Sequence, residues 1–289
     1  MSREILSIED IVARTPELPT IPAAALKVIQ ETNSTSSSAG TVASILGTDQ
    51  ALSVRVLRLS NSAYYGLSRR VTNLSEAVIV LGMRTVRNLA LVASSYPFMV
   101  KEVPGYKLGP KDLWKHGFGV AVGAQLIAKL SKKVNDEEAF TAGLLCDIGK
   151  IALSIWFEDK TEAMAQFAVA KEMSFTQAEH LLLGYTHAEV GAHMALTWNL
   201  PESIVKSIRY HHYPSAAETQ EPIVDCVHVA DYLTMMLGFG LGGDGMQYEF
   251  DPTTLERLGL DANDLDGIVN DFVARYEEYE SLVEELQAA

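Results

Sequence analysis

Apolar residues recur at three- and four-residue spacing along nearly all of this chain, and no segment alternates apolar and polar over strand length. That pattern predicts an all-α protein. Local signals divide it into short helices. Pro22 opens AAALKVIQETN, Thr41 begins TVASILGTDQ, and Asp49 caps QALSVRVLRLS, where Leu52, Val56 and Leu59 form one stripe. Asn73 and Ser75 precede EAVIVLG, which Gly82 ends before RTVRNLALVASSYPFM. These helices predict a compact N-terminal bundle.

KEVPGYKLGPK at 101–111 holds two prolines and two glycines and is the best internal boundary. It divides the chain into an expected N-terminal bundle, 1–108, and a second helical region, 109–289. In the second region DLWKHGFGVAVGAQLIAKLSKK places His116 on an apolar face, and DEEAFTAGLLCDIGKIALSIWF reads as one long apolar segment. Ser174 is a plausible cap. Thr186 and Glu189 form a T-x-x-E capping box that puts His187 at a helix start. Pro201 opens a helix closing on Tyr210-His211-His212, and Pro222 opens IVDCVHVADYLTMML. GFGLGGDG reads as a loop between helices, because it lacks the Lys-Ser/Thr ending and preceding strand of a phosphate loop. The tail from Asp264 predicts an amphipathic acidic helix with Leu265, Ile268, Phe272, Tyr276, Tyr279 and Leu282 on one side.

Asp147 lies in an otherwise apolar run, FTAGLLCDIGK at 140–150. A carboxylate among aliphatics needs a partner, because an unpaired buried charge costs several kcal/mol or takes up a proton. The partners available are distant in sequence: His116, His187, His211, His212 and Asp231. Imidazoles and carboxylates from several helices are the chemistry of a metal site. Each has a plainer role in isolation. His116 fits a core histidine, Asp147 a cap, and His211 and His212 a helix C-terminus. The combination points to a centre that would activate water on a phosphate ester.

The order of these pieces resembles the HD phosphohydrolase superfamily: His116, Cys146-Asp147 with Gly149-Lys150, His187-Ala188-Glu189-Val190-Gly191, His211-His212 and Ala230-Asp231. More closely it resembles the HDOD family, HD-related output domains of bacterial signalling proteins. LPTIPAAALKVIQ, ILGTDQALSVRVLRLSNSAYYG and LSEAVIVLGMRTVRNLAL carry the closer likeness, as do GLLCDIGK, HAEVGAHMALTWNLPESI and HHYP. The resemblance covers roughly 14–235. It implies an N-terminal helical bundle packed on an HD-like helical subdomain. It also implies metal ligands at His116, Asp147, His187, His211, His212 and Asp231, with Lys150 as a catalytic group if the domain is active.

Cys146 departs from the pattern, standing where the superfamily has the histidine of its His-Asp doublet. A thiolate reaches less far than an imidazole and favours zinc over magnesium or manganese. Its plainer role is a small buried hydrophobe. The resemblance therefore implies a signal-transduction module, non-catalytic or weakly catalytic, that binds a partner or ligand. The alternative is a metal-dependent phosphohydrolase acting on a nucleotide or cyclic dinucleotide. The cofactor would be a divalent metal, whether zinc, iron, manganese or magnesium, unless the cysteine marks its loss.

Charge bears on partners. The net charge is −14, and residues 217–289 carry 17 Asp/Glu against Arg257 and Arg275. By contrast, 51–90 carries Arg55, Arg58, Arg69, Arg70, Arg84 and Arg87 against Glu76 alone. We expect Arg69 and Arg70, after Tyr64-Tyr65-Gly66, to meet an acidic signalling protein or a small phosphorylated ligand. The alternative is internal pairing with Glu76 or the acidic tail. The overall acidity argues against nucleic acid, and against reading 41–66 as a helix-turn-helix. No apolar run of span length is evident and the N-terminus lacks a signal-peptide core. With two cysteines, too few for a disulfide framework, the expectation is a cytoplasmic protein.

Overall fold

Helix starts in this chain are set by side chains that satisfy the free amides of the first turn. In the computed structural model, Asp49 accepts from the Leu52 amide at 2.9 Å and Asn73 from the Glu76 amide at 2.9 Å. Ser174 with Gln177 and Thr186 with Glu189 each form a reciprocal capping box. The structure describes residues 6–16, 18–32, 34, 36–157, 160–243, 249–277 and 286–287. Helix takes up 71% of the chain. Among the described residues the β structure is an isolated bridge between Val103 and Leu108. The all-α expectation is borne out.

The chain forms two compact units that run across the expected 108/109 division. One is Thr20–Phe98 with Val273–Ala289, and the other is Met1–Pro19 with Met99–Phe272. The first contains α2 (Ala23–Glu31), α3 (Ala39–Leu46), α4 (Gln50–Ser60), α5 (Leu74–Leu81) and most of α6 (Met83–Met99). Val28, Val42, Leu46, Val56, Leu59 and Ala77 fill its core. Asn61 pins the loop between α4 and α5, donating to Val71 O at 2.9 Å and accepting from Val71 N at 2.7 Å. α3 starts at Ala39, because Ser38 rather than Thr41 supplies the cap.

The second unit contains α1 (Ile8–Arg14), α7 (Asp112–Ser131), α8 (Asp136–Leu145), α9 (Gly149–Phe157), α10 (Thr161–Lys171) and α11 (Phe175–Leu183). It continues with α12 (His187–Thr197), α13 (Glu202–Tyr210), α14 (Pro222–Met236), α15 (Thr253–Leu258) and α16 (Ala262–Glu277), the last reaching beyond it. α7 packs most extensively on α8 and α14, and α12 lies against α9 and α13. Small residues let the axes approach. A Cβ on Gly143 would lie 2.8 Å from the Val120 carbonyl oxygen, a backbone atom of the facing helix.

One expectation is corrected here. The apolar segment 136–157 forms two helices with a turn at Cys146–Ile148, close to where Asp147 read as a cap. It does contain an 18-residue window of span-like mean hydropathy, 1.4, contrary to the absence expected from sequence. That window is 78% buried inside the protein, which is how a core helix pair earns such composition. Tyr279 and Leu282 of the expected tail helix lie outside the described residues. Ile268, Phe272 and Tyr276 are buried as that pattern requires.

Candidate metal centre

The break between α8 and α9 is what delivers Asp147. The turn aims its carboxylate inward at 2% exposure, and the Lys150 ammonium, one turn on, meets Oδ2 at 2.7 Å. Four other elements supply the rest. His116 comes from the first half of α7 and Asp231 from α14; His116 Nε2 stands 2.8 Å from Asp231 Oδ1 and 3.4 Å from Asp147 Oδ2. His187 is the first residue of α12, with Nε2 3.2 Å from Asp147 Oδ1. His211 and His212 run off the end of α13. His211 Nε2 is 3.6 Å from Asp147 Oδ1, and His212 Nδ1 is 3.7 Å from Asp231 Oδ2. All six residues singled out from sequence thus meet in one place. Arg69 and Arg70 belong to the other unit.

Several side chains are held from behind. His116 Nδ1 faces the Phe239 carbonyl at 3.3 Å. That contact depends on Gly240, which has φ +65°; a Cβ there would fall 2.2 Å from Asp112 O and 2.7 Å from His116 N. Any other residue would push the loop off α7. His211 Nδ1 lies 2.7 Å from Ile208 O and His187 Nδ1 2.8 Å from Glu179 Oε2. A carbonyl or carboxylate can only accept, so the Nδ1 of His211 and of His187 carries the proton and, in the neutral ring, Nε2 turns a lone pair inward, whereas His116 Nε2 donates to Asp231 Oδ1.

Glu179 was not anticipated from sequence. It lies on α11, 0% exposed, and accepts from the His187 amide at 3.0 Å, from His187 Nδ1 and from the Tyr106 hydroxyl. As one more acid in SFTQAEHLLLG it carries no local mark of this role. Cys146 sits in the same turn as Asp147, fully buried, with its sulfur among the groups near His116. Burial and the Asp147 charge push its thiol well up, so in this environment it remains protonated.

The charges are strongly biased. Burial works against the Asp147 carboxylate, but Lys150, His187, His211 and His116 together hold its pKa well below the usual range. Burial likewise opposes Asp231, and the His116 hydrogen bond outweighs it. His187 is pushed up to about 9, because the Glu179 charge and Asp147 overcome burial. Burial and the neighbouring His211 and His187 keep His212 neutral, well below the usual histidine value.

The residues fit a cation. Asp147 Oδ1, His211 Nε2 and Asp231 Oδ2 are buried atoms whose neighbours are too far or too misdirected for a hydrogen bond. Buried polar atoms rarely go unsatisfied. One ligand atom each from Asp147, His187, His211 and His212 lies within 4.8 Å of the others, and the same holds for His116, Cys146 and Asp147. Asp147 is common to both groups. Three imidazoles and a carboxylate suit zinc, iron or manganese. A narrow cleft opens onto this centre, lined by His116, Lys150, His212, Asp231 and Tyr213.

An all-helical domain with a buried histidine–aspartate centre is the class that this fold and site define. The HDOD domain model matches residues 18–214, more than half of the sequence, and the chain belongs to the HDOD family. Asp231 falls beyond the matched segment yet closes the centre. An HDOD domain protein of Geobacter sulfurreducens, of unknown function, has a similar crystal structure. Its TM-score is 0.70 at 28% identity, covering 98% of this chain and 95% of that one. A presumed phosphohydrolase from Shewanella amazonensis SB2B gives 0.69 at 28% identity, covering 96% and 97%. An uncharacterized curated protein of Treponema pallidum (strain Nichols) is 25% identical over 223 residues. Those residues are 76% of this chain and 43% of that relative, so the chain spans less than half its length.

Proposed function

We propose that this chain is a signal-transduction module that holds a divalent metal on Asp147, His187, His211 and His212 and uses the open cleft to bind a phosphate-bearing ligand, with little or no turnover. The observation that carries the reading is the set of buried, unsatisfied atoms on Asp147, His211 and Asp231. Such atoms are costly unless a cation satisfies them. Bound there, a metal would supply Lewis acidity toward a phosphoryl oxygen. The chain's own groups do the rest. Glu179 fixes the His187 tautomer, Lys150 holds the Asp147 carboxylate and borders the cleft, and the His116–Asp231 pair closes the far side.

Weak turnover follows from Cys146. Its sulfur lies one bond past Cβ and reaches less far than the imidazole expected in the doublet, and it is a softer ligand. The competing reading, a metal-dependent phosphohydrolase, is favoured by Lys150 at the cleft floor. Metal analysis of the purified protein, with turnover of bis(p-nitrophenyl) phosphate in manganese, separates them. Stoichiometric metal lost in Asp147→Ala, with negligible hydrolysis, supports the module. Robust hydrolysis that disappears in Asp147→Ala makes the chain an enzyme, and no metal in either protein ends both readings. If the chain is a weakened enzyme, Cys146→His raises metal affinity or activity.

We further propose that the surface carrying Arg69 and Arg70 takes an acidic or phosphorylated signalling protein. Arg69 pairs with Glu76 at 3.0 Å but remains 76% exposed, so its guanidinium stays accessible. Arg70 is exposed beside it, and the Tyr64 and Tyr65 rings meet edge-on at 4.9 Å just before them.

A further inference from the structure

A second groove adjoins the metal cleft and takes no part in holding the metal. It is an open groove of about 610 Å³, and Thr176 and Tyr213 line both. Its walls come from α11, from the start of α12 and from the end of α13. Met173 and Leu181 are apolar, Tyr210 and Tyr213 present half-buried rings, and Arg209 and His180 carry the basic groups.

Arg209 is the informative residue. Its guanidinium is half-buried, and among the described residues it makes no ion pair or hydrogen bond. By contrast, Arg257 is clamped by Asp225 at 2.6 Å. The one carboxylate lining the groove, Glu189, is engaged in the capping box, accepting from the Thr186 amide at 2.9 Å and from its hydroxyl. The Tyr213 hydroxyl is likewise taken, by Ser174 at 3.0 Å. In a chain of net charge −14, an unpaired cation in a groove that two tyrosines also line, next to a metal cleft, is a recognition feature rather than a structural one.

We infer that this groove is a second subsite of the same ligand, resting on the metal-and-phosphate reading above. The ligand class is a nucleotide with at least two phosphates: one phosphoryl group lies in the metal cleft, a second anionic group pairs with Arg209, and the heteroaromatic ring lies against Tyr210 and Tyr213. Aromatic and arginine groups together recognise that combination of flat ring and anion.

The test uses ADP and orthophosphate as probes, with the full chain titrated calorimetrically with and without manganese. ADP binds at least tenfold tighter than orthophosphate to the wild type. Arg209→Ala reduces ADP affinity at least tenfold and leaves manganese and orthophosphate binding unchanged; Arg209→Lys restores part of the loss. An Arg209→Ala protein that binds ADP within twofold of wild type overturns the subsite. So does a wild type that binds ADP no better than orthophosphate. Failure of manganese to bind would sink the metal reading alone. ADP titrated without metal then decides the groove, since binding that depends on Arg209 supports it and none overturns it.

Discussion

A Cβ placed on Gly149 would lie 2.0 Å from the carbonyl oxygen of His187. The first residue of α9 and the first of α12 therefore touch backbone to backbone, and the same hypothetical atom would stand 2.5 Å from Gly191 N. Neither neighbour is a flexible side chain. Gly149→Ala must push α12 away and carry His187 with it. We expect a loss of about 3 kcal/mol or more in denaturant unfolding, together with weakened metal binding. Gly267→Ala is the control: nothing lies within 4 Å of its Cβ, and on an exposed helix it should stabilise by about 0.5–1 kcal/mol.

Glu179 acts on the centre only through His187. Glu179→Gln keeps the shape and an acceptor for Nδ1 but removes the charge that makes the imidazole a strong donor. Metal affinity, measured calorimetrically, should fall roughly 10- to 100-fold while the melting temperature changes little. Glu179→Ala strands the Tyr106 hydroxyl and the His187 amide as well, and should cost a further ~1–3 kcal/mol of stability. Equal metal affinity in wild type and Glu179→Gln would show that His187 needs no such support.

Asp251 makes stability fall in acid. Burial opposes its ionised form, but hydrogen bonds from Ser215 and Thr253 and the charge of Arg257 hold its pKa down at about 2. In the unfolded chain an aspartate titrates near ~3.9. The stabilisation is therefore complete above pH ~4 and is lost as the pH falls toward ~2, amounting to about 2 kcal/mol. Asp251→Asn should be less stable than wild type at pH 7 by that order, and the gap should close near pH 2. A gap independent of pH would trace the loss to packing instead.

The arginines at 69 and 70 are exposed, and single exposed ion pairs contribute ~0–1 kcal/mol. Arg69→Glu with Arg70→Glu should leave the unfolding free energy within about 1 kcal/mol of wild type and abolish salt-sensitive capture of an acidic signalling partner. An unfolded double variant would make these side chains structural.

What the sequence discloses depends on distance along the chain. The caps at Asp49, Asn73, Ser174 and Thr186 were legible because a cap and the amide it satisfies are three residues apart. The six centre residues were legible by resemblance, each being a polar group in an apolar frame. Glu179 was not, because an acid on a helix looks solvent-facing until Tyr106 and His187 are seen around it. The break at Cys146–Ile148 was half legible, since Asp147 read as a cap while the residues around it are as apolar as the helices on either side. That Arg209 has no partner among the described residues was equally invisible, since pairing is a property of the folded surroundings and not of the residue.

His116 and Asp231 touch across 115 positions of chain, and every other member of the centre falls between them. A ribosome delivers these residues in order, so α7 emerges long before α14, the helix that both covers it and brings the second carboxylate. Until then His116 has no Asp231, and α7 has lost one of its two principal packing neighbours. Closure of the centre is thus tied to synthesis of this unit through α14, and a chain truncated before α14 would leave His116 without that carboxylate.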